Sequence, residues 1–248
     1  MDKQISSGTA VFGYLMPAGS ETGLVFLYSR YLRDDPSSVV VPLGARQECL
    51  ESAVHNVRTG LVPGMLVDQA FYTSLFGHVD AVTPAANESG VIDTLYADPV
   101  KGVVVGDCAA VQAVRYMTSF LGSFDDPIVL MYGNGWETRV AMTALSGSVT
   151  LMHLSCSPDK KLDAINTGCV VEYVSDMDPE PYDLLVGPPT GLREVGGQSR
   201  IWLTPSGGQS AKTSARFEAL RLAVSMRMFR GIPATMDVQA ADNYEKNY

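Results

Sequence analysis

The chain is short of charge, of histidine and of paired cysteine. Only 18% of its 248 residues are charged, yet no run of about 18 apolar residues occurs, so no transmembrane helix is expected. The amino end, Met1-Asp2-Lys3-Gln4-Ile5, has no basic stretch leading into an apolar block, and no secretory leader is expected. Histidine is limited to His55, His78 and His153. The cysteines Cys49, Cys108, Cys156 and Cys169 are scattered and form no C-x-x-C pair, so no zinc-site spacing exists and no metal is expected. Free thiols, buried in a reducing cytoplasmic compartment, are the preferred reading of such cysteines. The serine-bearing G-x-S-x-G turn of hydrolases is missing as well. There is no internal repeat and no low-complexity tract.

What remains is an apolar globular chain. Hydrophobic residues make up 46%, enough for a sizeable core without staples. The net charge of −9 disfavours general nucleic-acid binding, because phosphate backbones need a basic face. The charge is uneven, however: residues 191–248 hold 8 basic and 5 acidic side chains, or +3.

The first third reads as strands followed by a helix. Thr9 to Met16 and Gly23 to Tyr28 are apolar and β-rich, Val39 to Val41 is a short third strand, and Leu50, Ala53, Val54 and Val57 fall at helical spacing. Met65 to Phe76 fits either helix or strand. Val103 to Val105 ends a strand, and Asp107 is placed to cap a helix from Ala109 to Leu121. From Asp126 onward the alternation is plain. Pro127 to Tyr132 is a continuous apolar run, as in a strand buried on both faces, and Gly133-Asn134-Gly135 is its turn. A helix from Trp136 to Leu145 follows, then strands at Ser148 to Leu154, Cys169 to Val174, Tyr182 to Val186 and Ser199 to Thr204, a short helix at Lys160 to Asn166, and a closing helix from Ser210 to Phe229. Strands alternating with helices imply a parallel sheet with right-handed crossovers. The fold class expected is α/β: a Rossmann-like, mostly parallel sheet flanked by helices (101–236), with an N-terminal α/β extension (1–100) and a C-terminal arm (237–248).

Ligands of such sheets sit beyond the carboxyl ends of the strands. Tyr132-Gly133-Asn134-Gly135, the Ser175-Asp176-Met177 loop and Tyr182-Asp183-Leu184-Leu185-Val186-Gly187-Pro188-Pro189-Thr190 follow the order seen in class I S-adenosylmethionine methyltransferases, which this stretch of about 105 residues resembles. The resemblance implies S-adenosylmethionine as cofactor, held by Gly133, Asn134, Gly135, Ser155, Asp176 and Met177. Asp183 would support the strand end, and the substrate would lie near Gly187, Pro188, Pro189 and Thr190. It assigns no catalytic residue. The chain departs from the family pattern at Met131 and Ser155, where carboxylates are usual, and at Gly187 and Thr190. A methyltransferase-like domain, active or degenerate, is therefore the leading expectation. The alternative is a non-enzymatic structural or assembly protein, for example a viral or multi-subunit component.

Two other features bear on partners. Asp176, Asp178, Glu180 and Asp183 make an acidic stretch best read as a solvated loop. The closing helix carries Lys212, Arg216, Arg221, Arg227 and Arg230 against Glu218 alone. Such a face suits an acidic protein partner, a second copy of the chain, or RNA.

Overall fold

The computed structural model describes residues 9–20, 23–32, 37–98, 100–155, 170–173, 182–186, 197–201 and 209–231. The chain divides into two compact units. Unit 1 takes in Met1–Asn87, Val91–Ala109 and Leu222–Tyr248, and unit 2 takes in Glu88–Gly90 and Ala110–Arg221.

Unit 1 is built on a six-stranded sheet, in the order β2-β1-β3-β5-β6-β4. Strand β1 (Ala10–Pro17) buries Phe12, Tyr14, Leu15 and Met16 and pairs in parallel with β2 (Ser38–Ala45) and β3 (Gly64–Val67). The segment expected as a second strand is instead the helix α1 (Gly23–Tyr31). Its buried residues Val25, Tyr28 and Tyr31 recur every three positions, while Phe26 is 76% exposed. That spacing makes one helical face, and it overrides the β preference of valine, phenylalanine and tyrosine. Helix α2 (Leu50–Arg58) buries Leu50, Ala53, Val54 and Val57, the four positions read from spacing. The ambiguous stretch after Met65 divides: β3 ends at Val67, and Asp68 accepts the Ala70 N–H at 3.0 Å to start a 3-10 turn.

Strand β4 (Ala81–Val82) and helix α3 (Pro84–Ser89) lead to an antiparallel hairpin, β5 (Thr94–Asp98) with β6 (Val103–Asp107). Because of this hairpin, Val103–Asp107 belongs to the sheet of unit 1. The first amides of helix α4 (Ala109–Met117) find two carboxylates. Asp107 accepts from Cys108 N at 2.7 Å and Asp93, wholly buried, accepts from Ala109 N at 2.7 Å. Negative charge is favourable at a helix amino end, so the capping role read for Asp107 is shared with an acid brought by the sheet.

Unit 2 carries a five-stranded sheet in the order β11-β10-β7-β8-β9, with every pair parallel. Its strands are β7 (Val129–Tyr132), β8 (Leu151–Ser155), β9 (Val170–Tyr173), β10 (Tyr182–Val186) and β11 (Gly197–Ile201). Helix α5 (Trp136–Leu145) joins β7 to β8, and α6 (Gln209–Phe229) closes the chain. Val129, Met131, Met152 and Leu154 are buried on one face, and Leu130, Tyr182 and Leu185 cluster on the other. The architecture is thus the expected mixed α/β fold, Rossmann-like, with a mostly parallel sheet flanked by helices. The short helix expected at Lys160 to Asn166 lies outside the described residues.

Candidate functional site: the glycine turn after β7

Numbered from β7, the sheet of unit 2 runs third, second, first, fourth, fifth. Chain direction across the sheet therefore reverses between β7 and β10. In open parallel sheets such a reversal is the place where ligands are held beyond the carboxyl ends of the strands. The turn at Gly133 sits at that point. Gly133 holds φ at +86°, in the left-handed region, and a side chain added there would meet open space. Gly135 is the extended residue that opens α5, so the helix amino end points back toward the turn. A Cβ at Gly135 would stand 2.7 Å from a Glu137 carboxylate oxygen, so this position is crowded where Gly133 is not.

Thr138 completes the turn. It is 2% exposed, and its hydroxyl donates to the carbonyls of Tyr132 (3.2 Å) and Gly133 (3.1 Å). The run Gly133-Asn134-Gly135-Trp136-Glu137-Thr138 is thus a G-x-G-x-x-G fingerprint with threonine in the third place, where a small residue normally lets helix and strand approach. Sequence reading stopped at the first two glycines; the signal it passed over is the small hydroxyl residue three positions on. The indole of Trp136 lies 6.3 Å from the Phe217 ring of α6, centroid to centroid, and fixes the first turn of the helix.

Ser155 is the last residue of β8, next to Tyr132 in register, so Gly133, Asn134, Gly135 and Ser155 come together at one end of the sheet. Asp183 does not. It stands near the amino end of β10, about 10 Å along the strand from its carboxyl end. There its carboxylate accepts the Ile128 N–H at 2.9 Å, while its own N–H donates to Ile128 O at 2.9 Å. Its role is to hold β10 in register with β7. Asp176, Met177, Gly187, Pro188, Pro189 and Thr190 lie outside the described residues. His153, read as a core histidine, has Nδ1 3.4 Å from the Tyr182 hydroxyl and Nε2 3.8 Å from a Glu172 oxygen. Among the described residues no group of three histidine, cysteine or acidic side chains is arranged to hold a metal ion. No helix among them is long and apolar enough to cross a membrane.

In unit 1, polar groups gather at the carboxyl ends of β3 and β6. Tyr14 donates to Asp68 at 2.8 Å, and Thr83 donates to Asp107 at 2.6 Å. Burial, with the charges of Asp107 and Asp98, pushes the Tyr96 phenol up to about 12.

No protein-family model matches the chain, and no curated protein matches it. Solved structures do. A shikimate 5-dehydrogenase-like protein superposes with a TM-score of 0.74 at 12% identity, over 98% of this chain and 99% of its own. A shikimate dehydrogenase in complex with NADP+ gives 0.71 at 15% identity, over 99% and 98%. Shikimate 5-dehydrogenase from Listeria monocytogenes, in complex with shikimate and NAD, gives 0.70 at 13% identity, again over 99% and 98%. At such identities the likeness is one of fold, and it extends over both units. It corrects the methyltransferase resemblance, the S-adenosylmethionine that came with it, and the viral or non-enzymatic scaffold alternative. The physical reason is that a glycine turn between a buried strand and a helix suits any nucleotide carried at the carboxyl edge of a parallel sheet. The missing carboxylates at Met131 and Ser155 were the sign that the cofactor had been misassigned. The fold of the chain is that of the shikimate dehydrogenases.

Proposed function

We propose that the chain is an oxidoreductase of the shikimate 5-dehydrogenase type, with a nicotinamide dinucleotide bound across the Gly133 turn. The observation that carries this reading is the coincidence of the strand-order reversal at β7 and β10 with a left-handed glycine and the amino end of α5. The pyrophosphate would lie against the Gly135 backbone, where the α5 amides and the helix dipole favour negative charge. Dinucleotide sites that prefer NAD place an acid at the end of the second strand for the ribose hydroxyls, whereas NADP needs that acid absent and a cation near. Here that position is Ser155, and Lys160 and Lys161 follow in sequence, which supports NADP. The reaction class is transfer of a hydride from a hydroxyl-bearing carbon to the nicotinamide ring, with release of the hydroxyl proton.

The test is a titration of the whole chain with NADP+, NAD+ and S-adenosylmethionine, followed by melting temperature. NADP+ at about 100 times its dissociation constant is expected to stabilise by roughly 2.7 kcal/mol. Stabilisation by S-adenosylmethionine alone would overturn the reading. Shikimate with NADP+, followed by absorbance of the reduced nicotinamide, is the first substrate to try.

The proposal also places the protein in the cytoplasm, supported by the free thiols of Cys49 and Cys108. It includes a protein partner or second copy, supported by β9, an edge strand with Val170 and Tyr173 exposed. Light scattering over a range of concentration tests it, and a strict monomer would remove the second copy. For RNA the closing helix offers less than its sequence suggested. Arg221 is 1% exposed and lies 3.1 Å from Glu218, and Arg230 donates to the Ser38 hydroxyl at 2.7 Å.

A further inference from the structure

The chain has one Asn-Gly pair, Asn134-Gly135, and it stands in the glycine turn itself. Every other asparagine is followed by a residue with a side chain: Val57, Glu88, Thr167, Tyr244 or Tyr248. The pair matters chemically because the backbone nitrogen after an asparagine can attack the side-chain amide carbon. A side chain on the following residue obstructs that approach. A helix or strand prevents it by fixing the backbone and occupying the N–H. Glycine removes the first obstacle, since it has no Cβ and the widest choice of backbone angles.

The fold removes the second. Asn134 lies in the bend between β7 and α5, outside both elements. It is flanked by Gly133 at φ +86° and by Gly135, which is exposed and extended at φ −75° and ψ −173°. Gly135 precedes the first residue of α5, so its N–H has no place in the helical ladder. Among the described residues that N–H donates to no protein group. Asn56 is the contrast: it lies inside α2, and Val57 after it is buried. On the dinucleotide reading the bare N–H has a use, because an anion site at a helix amino end needs backbone donors left open for its ligand. The same opening leaves the Gly135 nitrogen available to its own neighbour.

We propose that Asn134 is a self-modification site, and that its conversion to a carboxylate is an age-dependent brake on dinucleotide binding. The Gly135 nitrogen forms a bond to Asn134 Cγ, its proton passes to solvent, and the Asn134 amide group leaves as ammonia. Water then opens the five-membered imide at one of its two carbonyls. One opening gives aspartate. The other gives isoaspartate, in which the main chain runs through the former side chain and is longer by one carbon. Both products put a negative charge in the turn, where the Glu137 carboxylate already lies close to Gly135, and that charge opposes the pyrophosphate. The modification stands on sequence and geometry alone; its effect on affinity rests on the dinucleotide reading.

The test is to age the whole protein in mildly alkaline buffer and map it by mass spectrometry after trypsin. Cleavage at Arg115 and Arg139 gives a peptide of residues 116–139 in which Asn134 is the one side-chain amide, so any acid gained there is its own. Asn134 is expected to convert about tenfold or more faster than Asn56, and to give aspartyl and isoaspartyl peptides of equal mass. Aged protein is expected to bind NADP+ about tenfold more weakly than fresh protein. Asn134→Gln, whose longer side chain closes the ring poorly, should bind with the same affinity fresh or aged. Conversion no faster than that of Asn56, or an aspartyl product alone, would overturn the modification. Equal NADP+ affinity in fresh and aged protein would overturn the brake. Fresh protein with no affinity for NADP+ would refute the dinucleotide reading and the brake with it, while the peptide map decides the modification by itself.

Discussion

At Gly133 one backbone angle decides two properties. The value of +86° is strained for any side chain, although space is open around it. Gly133→Ala is expected to cost about 1–2 kcal/mol of stability, read from urea unfolding, and, on the proposed dinucleotide reading, to weaken NADP+ because the turn would lose its close backbone approach. A second residue-scale expectation concerns Ser155. Ser155→Asp supplies the acid that grips ribose hydroxyls and repels a 2′-phosphate, so the ratio of NADP+ to NAD+ affinity should fall by about tenfold or more. An unchanged ratio would show that the dinucleotide does not cross the end of β8. Tyr96 gives a pH test in unit 1. Its phenol is raised from 10.0 to about 12, so folding favours the neutral form. The stability it contributes is complete below pH 10.0 and is lost as pH climbs through about 12. Tyr96→Phe should therefore flatten the decline in melting temperature across that alkaline window; an identical decline in both proteins would place its cause elsewhere.

Among the elements, periodicity was a sounder guide than residue preference. Helix α2 and the strands β7, β8 and β10 lie where spacing or a continuous apolar run put them, because each buries residues that its own pattern marks, and β9 lies where it was read although none of its residues is buried. Helix α1 was misread because Val25, Phe26 and Tyr28 favour strands, while the buried set Val25, Tyr28 and Tyr31 has helical spacing. The candidate site was half legible. Its glycine turn is a local signal, but strand order is a long-range property, and Asp183 looked like a site residue until its bond to Ile128 placed it at the other end of β10. The last turns of α6 illustrate the same limit. Phe229 stacks on Phe12 with ring centroids 5.0 Å apart, and a Cβ at Gly64 would fall within the Phe229 ring. Nothing local marks Gly64 as a packing position. Gly64→Ala is expected to destabilise by about 1–3 kcal/mol through overpacking. Gly64→Ala with Phe229→Leu should recover part of that loss, and strict additivity of the two changes would refute the contact as its cause.

For the whole molecule, the division into units passes through helices: besides setting Glu88–Gly90 with unit 2, it falls between Ala109 and Ala110 and between Arg221 and Leu222, inside α4 and α6. A helix is cooperative along its length, since each turn is stabilised by hydrogen bonds to the turns beside it. Melting one unit would fray the helix that the other unit buries: Phe217 and Leu220 on one side of the α6 division, Leu222 and Val224 on the other, each at most 2% exposed. The units should accordingly unfold together despite having separate sheets. Calorimetry is expected to show one transition, and on the proposed dinucleotide reading NADP+ should raise it as a whole, although the Gly133 turn belongs to unit 2. Two resolved transitions, with only one moved by NADP+, would show that the shared helices do not couple the units and that ligand binding stabilises the five-stranded sheet alone.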